Sequence, residues 1–369
     1  MEETDMKKLS AFALVMIMLA LALSGCSGTT VVVGGCTCPT GSHETAGTEA
    51  SVPQSSAPET PEDQGALKTG LAVVTDLSGS VSAGGETDGA VKYDVTVAAV
   101  TVDGSGVIRA CIVDAVPAEV SFDVSGAVTS DLAAEIRTKN ELGEDYGMKA
   151  YAGSKYEWNE QVAAVAAYAV GKTVQELRTG AVNEAGKAAD ADLASTATIS
   201  IGSYVSAIEA AVENAQYLGA SSGDTLKLVS ISSIGKSMGV LGEEPGTAQL
   251  DCDITALTVG GGIITSCYLD SVQARVSFDA KGVITTDLSA PVLTKNQLGE
   301  AYGMKAWGGA KYEWNEQAAA FAAYVTGKTP AEVAGIAVNE ASAPADADLA
   351  SSVTISIGGF QALIAKAVQ

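Results

Sequence analysis

The chain has 369 residues, and its 44 Asp and Glu against 21 Lys and Arg leave a formal charge of −23. A field of that sign repels phosphate backbones and anionic headgroups, so nucleic acid is not an expected partner. An apolar share of 47% suits a folded body of two domains rather than disorder, and six cysteines are too few for a disulfide framework in a chain this long.

At the N-terminus, Lys7 and Lys8 form a short positive segment, and Leu9 to Leu23 is apolar apart from Ser10. The run is about 15 residues, shorter than the roughly 20 that cross a bilayer. Leu23-Ser24-Gly25-Cys26 closes it with small residues before a cysteine, the cleavage pattern of a signal peptide. Those residues resemble the lipobox of bacterial lipoproteins. The resemblance implies a signal peptide over 1–25, diacylglyceryl on the Cys26 thiol, and an anchor in the extracytoplasmic face of a membrane. Two or more acyl chains, palmitate among them, make such an anchor stable. Met6 is a more natural start than Met1, because Glu2, Glu3 and Asp5 sit awkwardly beside a positive segment.

Residues 26–65 carry the lipidated end and a stretch rich in Gly, Ser, Thr, Pro and Glu. Thr45 to Gly65 has too little apolar surface to offset chain entropy and reads as a disordered tether. Cys36-Thr37-Cys38 lies there with His43, the one histidine of the chain. Zinc sites use more ligands at wider spacings, so no metal site is expected.

The rest is a duplication. Thr138 to Lys149 recurs as Thr294 to Lys305, at an offset of 156 that holds from Cys111/Cys267 to Val212/Val368 with roughly three residues in five identical. Leu67/Leu226 and Thr96/Thr255 match at 159, which puts a loss of three residues between Thr96 and Cys111. The repeats run over 66–217 and 223–369, two long copies rather than a solenoid.

Each repeat opens with β-branched alternation, over Gly70–Leu77, Ala90–Val102, Val107–Asp114 and Glu119–Phe122. Turns are expected at Asp103-Gly104-Ser105-Gly106, at Gly260-Gly261-Gly262, at Asp123-Val124-Ser125-Gly126 and at Asp279-Ala280-Lys281-Gly282. Helices follow. Thr138 with Glu141 and Ser154 with Glu157 have capping-box spacing, and the second pair opens a helix from Lys155 to Val170. A last helix from Asp190 carries Leu193, Ala197, Ile201, Tyr204, Ile208 and Val212 on one stripe. The expected class is α+β, each repeat an antiparallel meander followed by helices packed on the sheet.

The body, with its histidine in the tether, offers no Ser-His-Asp or Cys-His pair, no phosphate-cradling loop and no HExxH. Asp103-Gly104-Ser105-Gly106 lacks the alternating ligands and closing glutamate of a calcium loop. Cys111 and Cys267, at matching strand positions, fit small buried hydrophobes. Glu157 with Glu160, and Asp190 with Asp192, are carboxylate pairs open to acid hydrolysis or to helix capping. Ser125-Gly126-Ala127-Val128-Thr129-Ser130 resembles the Ser-Gly-Ala-Thr stretch on which exported flavin proteins carry covalent FMN, with Val128 where the accepting hydroxyl belongs. Asp88-Gly89-Ala90 adds a loose likeness to their FMN-binding domain.

The densest group of unusual side chains is Tyr146, Met148, Lys149, Tyr156 and Trp158, repeated as Tyr302, Met304, Lys305, Tyr312 and Trp314. Aromatic and polar groups at a loop–helix junction suit a sugar, peptide or planar ligand, or else pin a helix to a sheet. Leu142 to Lys149, Gly171-Lys172-Thr173 and Asp190 to Ser195 are similar to repeats of exported lipoproteins of clostridia-like bacteria, a resemblance that implies domain boundaries and no activity. The expected function is a non-enzymatic lipoprotein that binds a ligand or protein of the envelope. The alternatives are FMN binding for extracytoplasmic electron transfer and hydrolysis by acidic residues.

Overall fold

A computed structural model describes residues 65–368; the readings on the signal peptide, Cys26, Cys36, Cys38, His43 and the tether before Gly65 lie outside them. In repeat 1, β1 (Lys68–Asp76), β2 (Gly89–Val102) and β3 (Ile108–Phe122) form an antiparallel sheet in that order. In repeat 2, β4 (Thr225–Ser233), β5 (Gly246–Gly260) and β6 (Ile263–Phe278) do the same. The two strands expected over Val107–Asp114 and Glu119–Phe122 are one continuous strand. Pro117 lies inside it without harm, because β3 is an edge strand and a missing N–H there breaks no central ladder.

Alternation sorts the side chains of each sheet between two faces. Val91, Tyr93, Val95, Val97 and Ala99 of β2 meet Ala248, Leu250, Cys252, Ile254 and Ala256 of β5 in a core shared by both repeats. Ala98, Val100 and Val102 face the other way, onto the helices of repeat 1, and Leu257, Ile264, Cys267 and Leu269 face those of repeat 2. The layers therefore run helix, sheet, sheet, helix. Phe122 and Phe278, equivalent residues at the ends of β3 and β6, stack at 4.0 Å and 5° within the shared core.

The turns after β3 and β6 close the joint reciprocally. Gly126 O accepts the Val240 N–H at 2.8 Å, and Gly282 O accepts that of Ala83 at 2.8 Å. Both glycines have positive φ, +76° and +67°, and a Cβ on either would run into the other repeat. The hairpin turn at Asp103 forms as expected. Its carboxylate accepts from Ser105 and Val107 N–H groups, and bonding to the Ser105 hydroxyl first of all holds its pKa down at about 2.

Register corrects the alignment upstream of the hairpin. Lys68 pairs with Val102 and Thr225 with Val259, and Gly89 with Phe122 as Gly246 with Phe278. The offset over β1 and β2 is thus 157, Thr96 matches Asp253, and one residue is lost, in the β2–β3 hairpin. Offsets of 159 and 157 differ by one pleat repeat, so apolar residues fall on the same face under either. Only pairing separates them.

The helices of repeat 1 are α1 (Lys139–Leu142), a 3-10 turn (Gly143–Tyr146), α2 (Met148–Ala152), α3 (Trp158–Ala169), α4 (Val174–Gly180), α5 (Ala191–Thr196) and α6 (Gly202–Glu213). Their counterparts are α7 (Lys295–Leu298), a 3-10 turn (Gly299–Tyr302), α8 (Met304–Gly308), α9 (Trp314–Val325), α10 (Pro330–Ala334), α11 (Ala347–Ala350) and α12 (Gly358–Ala367). The capping box of Thr138 and Glu141 is present. The helix expected from Lys155 opens instead at Trp158, because Glu157 is the N-cap and Glu160 its partner, while Ser154 Oγ donates to Tyr156 O. The last expected helix is two. Fully buried Gln161 takes the Thr198 and Ile199 N–H groups at 2.9 and 3.1 Å, which interrupts the helix while its apolar stripe continues. Gln317 does the same to Thr354 and Ile355.

Candidate ligand-binding site

Two of the predicted residues, Tyr146 and Trp158, lie around an ammonium. Lys139, 6% exposed, enters from α1 with its Nζ 3.2 Å from Asp94 Oδ1 on β2. The Tyr146 and Trp158 rings lie 5.4 and 5.3 Å from it, within cation–π range. Burial works to lower the pKa of Lys139, and Asp94, with the Tyr146 and Tyr204 hydroxyls, outweighs it and leaves it above the ordinary lysine value. Trp158 donates through Nε1 to Tyr204 Oη at 2.9 Å.

Beside this group, Glu157 joins α2 to α3. Its carboxylate, 2% exposed, accepts the N–H groups of Met148 at 2.8 Å and Lys149 at 3.0 Å. Glu160 accepts the Glu157 N–H at 2.7 Å and pairs with Lys149 Nζ at 2.7 Å. Met148 packs half-buried on the helix-side core. Tyr156 stands outside the cluster, under Lys155 Nζ at 4.8 Å, and its hydrogen bond to Lys155 holds its phenol below the usual pKa.

Repeat 2 rebuilds the frame. Glu313 accepts from Met304 and Lys305 at 2.8 and 2.9 Å, Lys305 pairs with Glu316 at 2.7 Å, and Trp314 lies edge-on to Phe360. Tyr302 flanks Lys295 at 5.3 Å, and Tyr312 lies under Lys311 at 4.7 Å. Glu157 and Glu313 are thus spent on backbone N–H groups, and Asp190 caps α5 by accepting from Leu193 N. The stretch compared with FMN carriers lies at the joint, where Ser130 Oγ accepts from Ser121 N at 2.8 Å.

A cavity of about 550 Å³ lies elsewhere, between the segment leading out of repeat 1 and the outer side of repeat 2. Tyr217, Cys267, Tyr268, Asn296, Asn315 and Ala319 are among its walls, and Ala322 and Ala323 of α9 with its C-cap Thr326 complete them, so the space is left by small side chains. No Asp, Glu, Lys or Arg lines it. The Asn315 Oδ1 is buried without a hydrogen-bond partner, as is Oδ1 of its counterpart Asn159. Burial pushes the Cys267 thiol up to about 12, so it stays neutral and unreactive. Cys111, half-buried, is likewise pushed up to about 12. The walls come from residues 216 to 326, and no local motif announces them.

Among the described residues no group of three or more His, Cys, Asp or Glu is placed to hold a metal, and no helix is long and apolar enough to cross a membrane. No family model, curated protein or solved structure matches the chain.

Proposed function

We propose that the chain is a lipid-anchored extracytoplasmic protein, held through Cys26, whose body binds a small uncharged polar ligand in the cavity beside Asn315 and catalyses no reaction. The observation that carries this is the uncharged lining of a ligand-sized space in a chain of formal charge −23. Amides, phenols and a neutral thiol match hydroxyl and amide groups of a ligand. A charged ligand would meet no counter-ion in such walls.

The test is thermal unfolding of the full chain with neutral sugars, amides and nucleosides, beside an Ala323→Trp variant that fills the cavity. A ligand at 100 times its Kd stabilises by about 2.7 kcal/mol, and the variant should lose that gain. A full panel with no stabilisation, or equal stabilisation of the variant, overturns the reading. The same preparation reports on the alternatives, since bound FMN absorbs in the visible and hydrolysis consumes the added compound. Normal membrane anchoring of Cys26→Ala would remove the lipid part of the proposal.

A further inference from the structure

Two aromatic side chains stand in solvent at equivalent positions: Tyr151, 90% exposed, and Trp307, 72% exposed. We propose that their rings are paired stacking platforms for pyranose units of a polysaccharide, one on each repeat and both separate from the cavity beside Asn315.

Each ring is held in a built turn. Tyr151 and Trp307 are the fourth residues of α2 and α8, which run between left-handed glycines, Gly147 and Gly153 at φ +81° and +63°, and Gly303 and Gly309 at +83° and +64°. Tyr151 N donates to Gly147 O at 2.8 Å, and Trp307 N to Gly303 O at 2.9 Å. A Cβ at Gly147 or Gly303 would collide with the ring, so each ring rests against bare glycine backbone and keeps its outer side open. The buried carboxylates of Glu157 and Glu313 fix the first N–H groups of the same two helices. The platforms are thereby preorganised, which lowers the ordering cost of binding.

The surroundings select the ligand. Ala150, Ala152 and Gly153 flank Tyr151, and Ala306, Gly308 and Gly309 flank Trp307, so each ring is a lone flat surface with clear approach. A protein partner or a membrane needs a contiguous apolar area, which one ring among small residues does not supply. The charge of −23 opposes nucleotide stacking and anionic lipid. A pyranose has one apolar C–H face for the ring. The two copies also differ here, Tyr in one and Trp in the other. An exposed position without core contacts that changes residue yet stays aromatic is held by its ring.

The experiment is co-sedimentation of the full chain with chitin, cellulose and peptidoglycan sacculi, and separately with phosphatidylglycerol–phosphatidylethanolamine vesicles. At least one polysaccharide should deplete the protein and shield Trp307 from acrylamide quenching. Tyr151→Ala and Trp307→Ala should each weaken binding several-fold, and the double variant should abolish it. Tyr151→Phe and Trp307→Tyr should retain it. These side chains are exposed, so melting curves should not move, and Ala323→Trp should sediment like the unaltered chain. Depletion by vesicles alone, depletion by none of the polysaccharides, or a double variant that binds undiminished would each overturn the proposal.

Discussion

The two repeats keep one frame and differ in what they set against its lysine. In repeat 1, Lys139 is buried with Asp94 as its counter-ion, and a crevice of about 380 Å³ lined by Asp76, Lys92, Asp94, Glu119 and Tyr146 opens beside the pair. In repeat 2 the register puts Asp251 where Asp94 stands, but Asp251 is taken by Lys236 at 2.9 Å and by Gln249 and Gln273 at 3.0 Å. Arg275 donates to Gln249 in the same row. Burial works to raise the Asp251 pKa, and these partners outweigh it and hold it below the usual value. Lys295 keeps its two rings, at 5.3 and 4.9 Å, and no carboxylate lies within ion-pair distance of it among the described residues. The Tyr204 hydroxyl that Trp158 uses is replaced by Phe360. The backbone staples and the Lys149–Glu160 pair recur in both repeats, and only the charges around Asp94 and Asp251 were redistributed.

The sharpest check on the shared frame is Glu157→Ala against Glu313→Ala. Each removes an acceptor from two N–H groups in a buried place, and hydrogen bonds to a charged acceptor contribute about 1.5–3 kcal/mol each. Both variants should lose roughly 3–6 kcal/mol in urea unfolding, and equally. Undiminished stability in either would show that the carboxylate is free for another role, acid chemistry included.

A pH effect comes next. Asp270 accepts from Ser271 N and Asn296 N, yet burial dominates and lifts its pKa from 3.8 to about 6. The folded state then keeps a proton that the unfolded chain releases. Its contribution is complete below about pH 4 and is lost as pH rises to about 6, roughly 3 kcal/mol in all. Asp270→Asn should flatten the stability profile across that window, and Asp114→Asn should act in the same direction, since burial raises Asp114 too. Parallel profiles for the unaltered and Asp270→Asn chains would refute the assignment.

The strands, their turns and the order of helices after sheet are legible in the sequence because alternation and Asp-x-x-Gly turns are local. The offset of 157 was hidden because a slip of two residues leaves every face unchanged. The breaks after Thr196 and Ala350 were hidden because the side chain that claims the backbone, Gln161 or Gln317, lies 37 residues away. Tyr146, Met148, Lys149 and Trp158 were visible as a cluster. Its centre was not, since Lys139 read only as part of a capping box and Asp94 as one strand residue among many. Nothing in the sequence marks Tyr151 and Trp307 as exposed, because exposure has no signature in a run of Ala and Gly.

Replacing each lysine by Met tests the redistribution of charge, with a predicted difference in sign. Lys139→Met removes one half of an ion pair whose other half, Asp94, has a side chain 55% exposed and can be rehydrated. The loss should therefore be about 1 kcal/mol, well short of the cost of stranding a buried charge. Lys295 is half-buried between rings without a paired carboxylate, so Met, which fills the same space without a charge to desolvate, should be neutral or stabilise by up to about 1 kcal/mol. Denaturant midpoints of the two variants, compared at pH 7 in low salt, report the difference directly. Equal losses would mean that the cation–π contacts outweigh the carboxylate in both repeats, and that the open crevice beside Asp94 owes nothing to its ion pair.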